Sequence, residues 1–343
     1  MVVERGQGPR ERTGRLAPSR AKRFATSAAS LGVFAAVVLA ATPAAAAVSH
    51  ELLAGNGKKR ETLERWSSAS IESAQPTPTP EVEAGVLAAD YRRGEPGAVE
   101  ADLPASASLW ARGAAATGGF GSYEVLDYAS APNTASGLIL YRTRRGLWGC
   151  SGTAVSSRTE SLLLTAGHCA HSIREGWSRD LVFIPSYREG ETPYGVWAAA
   201  ELWVPRAWFR REHLGYDFAI AVIAPRHGST LQHAVGSFGL AWNQPREQNY
   251  RAFGYPSNHF GGERMMGCLS PFARSGPYLG GAERQLGIRC DLGKGASGGG
   301  WLIADRYLNS VVSGSYRRQP EIVYGPYFGS TAARLHGRAE SGG

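Results

Sequence analysis

From Tyr123 onward the chain alternates short apolar runs with turn residues. The runs at 137–142, 153–156, 161–165, 181–184, 196–204, 218–223, 250–254, 300–304 and 309–313 are rich in β-branched and aromatic side chains, and Gly, Pro, Asn and Ser punctuate them. Runs this short, with little apolar spacing of three to four, predict strands joined by tight turns rather than helices. The stretch from about 120 to 335 is long enough for two small antiparallel barrels, so the pattern predicts an all-β fold of barrel or sandwich type. No internal repeat is legible.

Upstream the pattern changes twice. Arg5, Arg10, Arg12, Arg15, Arg20, Lys22 and Arg23 precede an uncharged, largely apolar run at 24–41, which exits through Thr42, Pro43 and alanines ending at Ala47. A basic lead, a short apolar segment and a small-residue exit predict a secretory signal peptide over 1–47, cleaved near 45–47. A membrane anchor is the alternative, but its strongest part, 31–40, is too short to span a bilayer. Residues 48–115 carry Gln75-Pro76-Thr77-Pro78-Thr79-Pro80, many Ala, Ser and Glu, and few large apolar residues besides Trp66, Tyr91 and Trp110. That composition predicts a loosely ordered propeptide or linker, read as a pro-segment in preference to a cell-wall spacer. The globular domain is then expected over 116–343.

Charge adds little. Of the net +8, residues 1–47 hold seven Lys/Arg against two Asp/Glu, which leaves +3 for the rest. An excess that mild does not mark a nucleic-acid surface, and no DNA- or RNA-recognition motif or zinc-finger spacing is present. A monomer without stable membrane insertion after signal cleavage is expected. The cysteines add more. Cys150, Cys169, Cys268 and Cys290 are an even number in a chain expected to be exported, which predicts two disulfides. Three pairings are open. Nearest neighbours, Cys150–Cys169 and Cys268–Cys290, are the simplest, and each loop of about 20 residues would add about 3 kcal/mol by loop entropy.

Three segments carry candidate chemistry. His168 follows the apolar Leu162-Leu163-Leu164 and the small pair Ala166-Gly167, so a strand ends there and presents an imidazole at a turn. Imidazole titrates near neutrality and can take and return a proton. His171 is its nearest rival. Asp217 opens the apolar run 218–223, where a carboxylate at the mouth of a buried strand can orient an imidazole; Asp180 and Asp305 have no comparable context. Ser297 lies in Gly295-Ala296-Ser297-Gly298-Gly299-Gly300-Trp301, whose small residues allow a tight turn that exposes Oγ and gathers backbone N–H groups. Taken singly these are a structural histidine, a strand-edge aspartate and a flexible loop. Gly295 to Gly299 also fits the Gly-x-Ser-x-Gly nucleophile elbow of lipases and esterases. That fold needs an acid and a histidine after the serine, and the remaining chain, whose one aspartate is Asp305 and whose one histidine is His336, is too short for that fold's remaining strand-helix units.

Read in order, His168, Asp217 and Ser297 resemble the base, orienter and nucleophile of the chymotrypsin/trypsin family. Thr165-Ala166-Gly167-His168-Cys169 is similar to the family's Thr-Ala-Ala-His-Cys or Thr-Ala-Gly-His-Cys. Cys150-Ser151-Gly152-Thr153 resembles its Cys-Ser/Gly-Gly strand, whose cysteine pairs with the one after the histidine. Asp217-Phe218-Ala219-Ile220 resembles its Asp-Ile/Phe-Ala-Leu/Ile segment. The resemblance covers about 120–335. Gly254-Tyr255-Pro256 and Cys290-Asp291-Leu292-Gly293-Lys294-Gly295 place it nearest the bacterial secreted trypsin-like and glutamyl endopeptidase-like branch.

The resemblance implies two six-stranded antiparallel barrels with the active site in the cleft between them. It implies an oxyanion hole from the Gly295 and Ser297 amides, and substrate contacts from Asp291, Ser313, Gly314 and Ser315. It implies no metal or organic cofactor and a polypeptide substrate. Two departures stand out. Ala296 replaces the aspartate that usually precedes the serine and receives the new N-terminal amine on activation, so that switch is absent or replaced. Gly300 replaces a usual proline, leaving that backbone less constrained. Asp291 stands where trypsin-like enzymes select Arg or Lys, although glutamyl endopeptidase-like chains share an aspartate there without that role. The strand at 311–315 lacks the histidine of Glu-selective relatives. The expectation is a secreted serine endopeptidase, extracellular and made as a zymogen. The alternative is a catalytically silent homologue that binds extracellular protein through the same cleft.

Overall fold

The computed structural model describes residues 47–53, 55–78, 80, 94–103, 121–131, 133–277 and 284–342. The signal segment up to residue 46, Tyr91 and Trp110 lie outside them. The apolar runs form strands close to where the pattern places them. Ser136–Thr143, Gly146–Val155, Leu162–Thr165, Arg179–Pro185, Trp197–Pro205 and Ala219–Ile223 pair antiparallel in a ring. Trp197–Pro205 closes it by pairing with Arg179–Pro185 on one edge and Ala219–Ile223 on the other. Closure gives every strand of the ring two partners, each over part of its length, and encloses a core in which Leu163, Val182, Leu202 and Ala221 are fully buried.

The second half is a ten-stranded sheet whose path runs through Gly314–Tyr316, Gln319–Gly325, Leu286–Arg289, Met266–Ser275, Asn249–Gly254, Gly300–Ile303, Tyr307–Val311, Gly239–Trp242 and Gly97–Val99. Tyr123–Glu124 pairs with it beside that path. The all-β class and one closed six-strand barrel therefore hold. The expected second barrel is represented by this sheet, whose pairings among the described residues do not close into a ring. A helix over Ser330–Gly342 ends the described chain and buries Ala332, Leu335, His336 and Ala339.

The segment before residue 115 differs from its expected loose order wherever it is described. Ala47–Glu51 pairs antiparallel with Trp197–Pro205, Gln75–Pro76 pairs parallel with Trp148 and Gly149, and Gly97–Val99 joins the ten-stranded sheet. Between them a helix over Asn56–Arg65, with Thr62 buried, packs on the barrel and is followed by buried Trp66 and by a short helix, Ser68–Glu72, that buries Ile71. A chain with few apolar residues gains order here by adding strands to existing edges and placing its few large side chains against a core built by others.

Candidate active site

Strand register brings His168 and Asp217 together. Leu162–Thr165 and Ala219–Ile223 are antiparallel neighbours with Thr165 opposite Ala219. The end of one strand and the start of the other therefore share one rim of the barrel. His168 sits three residues beyond Thr165, in the one-turn helix Gly167–Ala170, and Asp217 sits two residues before Ala219. The Asp217 carboxylate is fully buried. Its Oδ1 accepts the His168 backbone N–H at 2.9 Å, and its Oδ2 lies 2.8 Å from His168 Nδ1. Ser313 Oγ donates to the same Oδ2 at 2.5 Å. Three partners hold a charge that burial alone would penalise, and they direct Nε2 of His168 away from the carboxylate.

Ser297 is delivered by the other half of the molecule. Its carbonyl accepts the Ser151 N–H at 2.7 Å, and Ser151 Oγ donates to Gly295 O at 2.9 Å. The turn is pressed so tightly onto the barrel rim that a Cβ at Gly298, whose φ is +83°, would fall 2.1 Å from Thr165 Oγ1 and 2.6 Å from Ala166 N. Glycine is required there on both counts. Ser297 thus abuts the strand end that carries His168. Both Ser297 Oγ and His168 Nε2 are buried without a hydrogen-bond partner among the described residues. The Gly295 and Ser297 amides, expected as an oxyanion hole, lie within this turn, and Ala296 is fully buried.

The cysteines pair as Cys150–Cys169 and Cys268–Cys290. The first bond ties Gly146–Val155 to the His168 turn. Cys150, His168 and Cys169 have metal-like proximity, but sulfurs bonded to each other offer no thiolate, so the donor set does not suit a metal.

Asp291 is engaged by its own chain. Its Oδ1 accepts Ser122 N–H at 2.7 Å and its Oδ2 lies 3.0 Å from His259 Nε2. Burial would raise its pKa, but the bonds from Ser122 and the neighbouring His259 outweigh that and hold it below the ordinary carboxylate value. Of the other expected substrate contacts, Ser313 is committed to Asp217, while Gly314 and Ser315 enter the hairpin strand Gly314–Tyr316. His171, the rival histidine, stands in an aromatic box against Trp177 and Phe209.

The sequence reading missed what lies against this site. A cavity of about 320 Å³ is lined by Thr77, Pro78, Tyr141, Trp148, His168 and Trp208 among others. Thr77 N–H donates to Gly149 O at 2.9 Å and its hydroxyl meets Tyr141 OH at 2.9 Å. A Cβ at Gly295 would lie 3.4 Å from Pro76 Cβ. The Pro-Thr repeat marked this stretch as a loosely ordered linker or pro-segment, but nothing in it named its docking place.

No family model matches the chain. Among solved structures it is similar to a thermostable serine protease, AL20, from an extremophilic microorganism, at 34% identity over 62% of this chain and 99% of that one, with a TM-score of 0.57. It is similarly related to the protease Anisep from Arthrobacter nicotinovorans, at 32% identity over 61% and 97%, with a TM-score of 0.57. A Glu endopeptidase shares the fold at 18% identity and a TM-score of 0.54. One curated relative, an extracellular metalloprotease of Bacillus subtilis, is 26% identical over 93 residues; the match spans 27% of this chain and 29% of that relative's length.

Proposed function

The chain belongs to the chymotrypsin/trypsin-like bacterial serine protease family, and from that premise we propose that it is a secreted endopeptidase working through Ser297, His168 and Asp217. It is a peptidase, and its substrate is polypeptide. The observation that carries the assignment of roles is the double contact of His168 with the buried Asp217 carboxylate at 2.9 and 2.8 Å. Asp217 holds the proton on Nδ1, which leaves Nε2 as the base. Nε2 takes the Ser297 Oγ proton as Oγ attacks the peptide carbonyl carbon. The Gly295 and Ser297 amides take the developing oxyanion. The C–N bond then breaks, and the protonated His168 returns its proton to the leaving amine. Water, deprotonated by His168, hydrolyses the acyl-enzyme and restores Ser297.

The second part of the proposal is that residues 48–115 form a pro-segment that keeps the site closed, after a signal peptide over 1–47 has been removed. Its support is the course of 75–78 across the site, with Pro76 against Gly295 and Thr77 on Gly149, and the complete burial of Ser297. Extracellular action fits the disulfides and the extracellular relative. For selectivity, the proposal is that Gly314 and Ser315 pair with the substrate backbone. Asp291 braces the 121–124 segment in this form, and a role in selecting Arg or Lys would require it to exchange Ser122 and His259 for the substrate.

Labelling with a fluorophosphonate probe tests the assignment. The processed secreted protein should label, Ser297→Ala and His168→Ala should not, and intact mass should show loss of residues up to about 115. Failure of the fully processed wild type to label sinks the endopeptidase and favours the silent homologue. Absence of labelling only in the unprocessed form identifies latency.

A further inference from the structure

We propose that Trp208 is a positioning residue for His168, clamping the turn that carries it from the same segment that delivers Asp217. The proposal rests on the reading of His168 as the base. Trp208 lies in the Arg206–Arg211 helix, is 1% exposed, and is followed through the turn at Leu214–Tyr216 by Asp217. It holds the one-turn helix Gly167–Ala170 at both ends. On the near side its indole covers Gly167 so closely that a Cβ there would fall 2.8 Å from Cδ2 and 2.9 Å from Cε2 and Cγ. On the far side its Nε1–H donates to His171 O at 2.9 Å. The ring centroid is 6.4 Å from that of His168. A third tie follows at the end of the same helix, where Glu212 accepts the Ile173 N–H at 2.7 Å.

The arrangement has a mechanical consequence. His168 meets Asp217 through both its backbone N–H and its ring, so a small rotation of the Gly167–Ala170 turn would disturb both bonds together. The disulfide at Cys169 restrains this turn on its barrel side. Trp208 restrains it at Gly167 and at His171, and its buried indole, anchored by a hydrogen bond, resists a methyl group at residue 167. The absence of a side chain at Gly167 is therefore a demand set by Trp208. Misplacing a catalytic group by a fraction of an ångström lowers the rate while leaving substrate binding nearly intact.

The test compares wild type with Gly167→Ala, Trp208→Leu, Trp208→Phe and the pair Gly167→Ala/Trp208→Leu in the secreted protein. It reads kcat and KM on a peptide substrate, fluorophosphonate labelling rate, thermal midpoint, and the downfield proton resonance of His168 Nδ1–H with its pH titration. Gly167→Ala and Trp208→Leu should each lower kcat roughly ten- to hundredfold with KM within about twofold, and should shift that resonance. The pair should lose no more than the worse single variant, because the methyl then occupies space the indole has left. Trp208→Phe should fall between wild type and Trp208→Leu. A wild-type kcat and resonance in Gly167→Ala, or losses that multiply in the pair, would overturn the clamp. Wild-type protein that fails to label would instead remove the protease reading, and the Nδ1–H resonance of the variants would still decide whether Trp208 sets the His168 geometry. Should Trp208→Leu fail to fold, Gly167→Ala and Trp208→Phe carry the decision.

Discussion

Asp217 concentrates the chemistry of the site in one buried carboxylate with three donors. Asp217→Asn keeps its shape but exchanges an acceptor for a donor facing Nδ1, which favours the wrong imidazole tautomer. On the assigned roles kcat should fall about 10⁴-fold, as for the same exchange in the trypsin template, and a stopped-flow acylation assay would check it. Ser313→Ala removes one bond to the charged group. Such bonds are worth about 1.5–3 kcal/mol, so a loss of roughly tenfold or more in kcat is expected, with KM little changed. An unchanged kcat in Ser313→Ala would mean that the two His168 contacts suffice. Asp217 was legible through its motif beside the apolar run 218–223 and its order after His168, not from the lone residue. Trp208 was not, since an aromatic in a basic stretch, Arg206 to Arg211, carries no mark of the glycine it covers.

At the scale of elements, the Asn56–Arg65 helix is held by one acid of the barrel. Asp180 has a side chain 1% exposed, lies 2.8 Å from Arg142 of its own barrel, and receives Arg65 at 3.1 Å and Lys58 at 3.6 Å from the helix. Its carbonyl accepts Trp66 Nε1–H at 2.7 Å. Arg65 and Lys58 are each 36% exposed, so water screens part of the attraction and Asp180→Asn should weaken docking by about 1–2 kcal/mol. In a Ser297→Ala background, hydrogen exchange should then speed up over 56–66; equal protection in both chains would remove Asp180 as the anchor. The docking of the neighbouring strand Ala47–Glu51 should depend on pH. His50 stacks on Trp177 at 5.2 Å, and Trp177 meets His171 edge-on at 5.0 Å. Burial lowers the pKa of both histidines, with Arg179 adding to the effect on His50 against a smaller opposing pull from Glu51, and His50 adding to the effect on His171. A lowered histidine pKa favours the neutral form, so its contribution to docking is complete above the ordinary value of 6.5 and is lost as pH falls through the lowered values. From about pH 7.5 to about pH 5 the thermal midpoint of the Ser297→Ala chain should fall, and His50→Gln should flatten that slope. Identical slopes would refute the histidine contribution.

The whole molecule divides the labour between its two sheets. The barrel carries His168 and Asp217, the ten-stranded sheet carries Ser297, and Ser151 with Thr165 joins the rims. The Cys150–Cys169 bond lies at that junction, and replacing both cysteines by serine should cost about 3 kcal/mol, which for a domain of this size lowers the thermal midpoint by roughly 6–12 °C. A midpoint within a degree or two of wild type would place the bond's value in alignment of the site rather than in stability. Much of this was legible early. Strands coincide with the apolar runs because a short β-branched run between turn residues is a local signal, and the three candidate residues lie in the turns just outside strands, which form the rim. The C-terminal helix was overlooked although Ala332, Leu335, His336 and Ala339 have helical spacing; its turn-rich neighbours hid it. Composition did not reveal that 48–78, the first part of the expected 48–115 segment, docks on the barrel, because few apolar residues suffice when they pack on a finished core. The sequence alone revealed the class of fold, the candidate reactive side chains and the cysteines, all of which follow from local pattern and residue chemistry. The folded chain was needed to see that Asp291 braces Ser122, that Pro76 and Thr77 cross the candidate site, and that Trp208 leaves no room beside Gly167. Those are contacts between residues far apart in sequence, set by register and close packing, which no local pattern encodes.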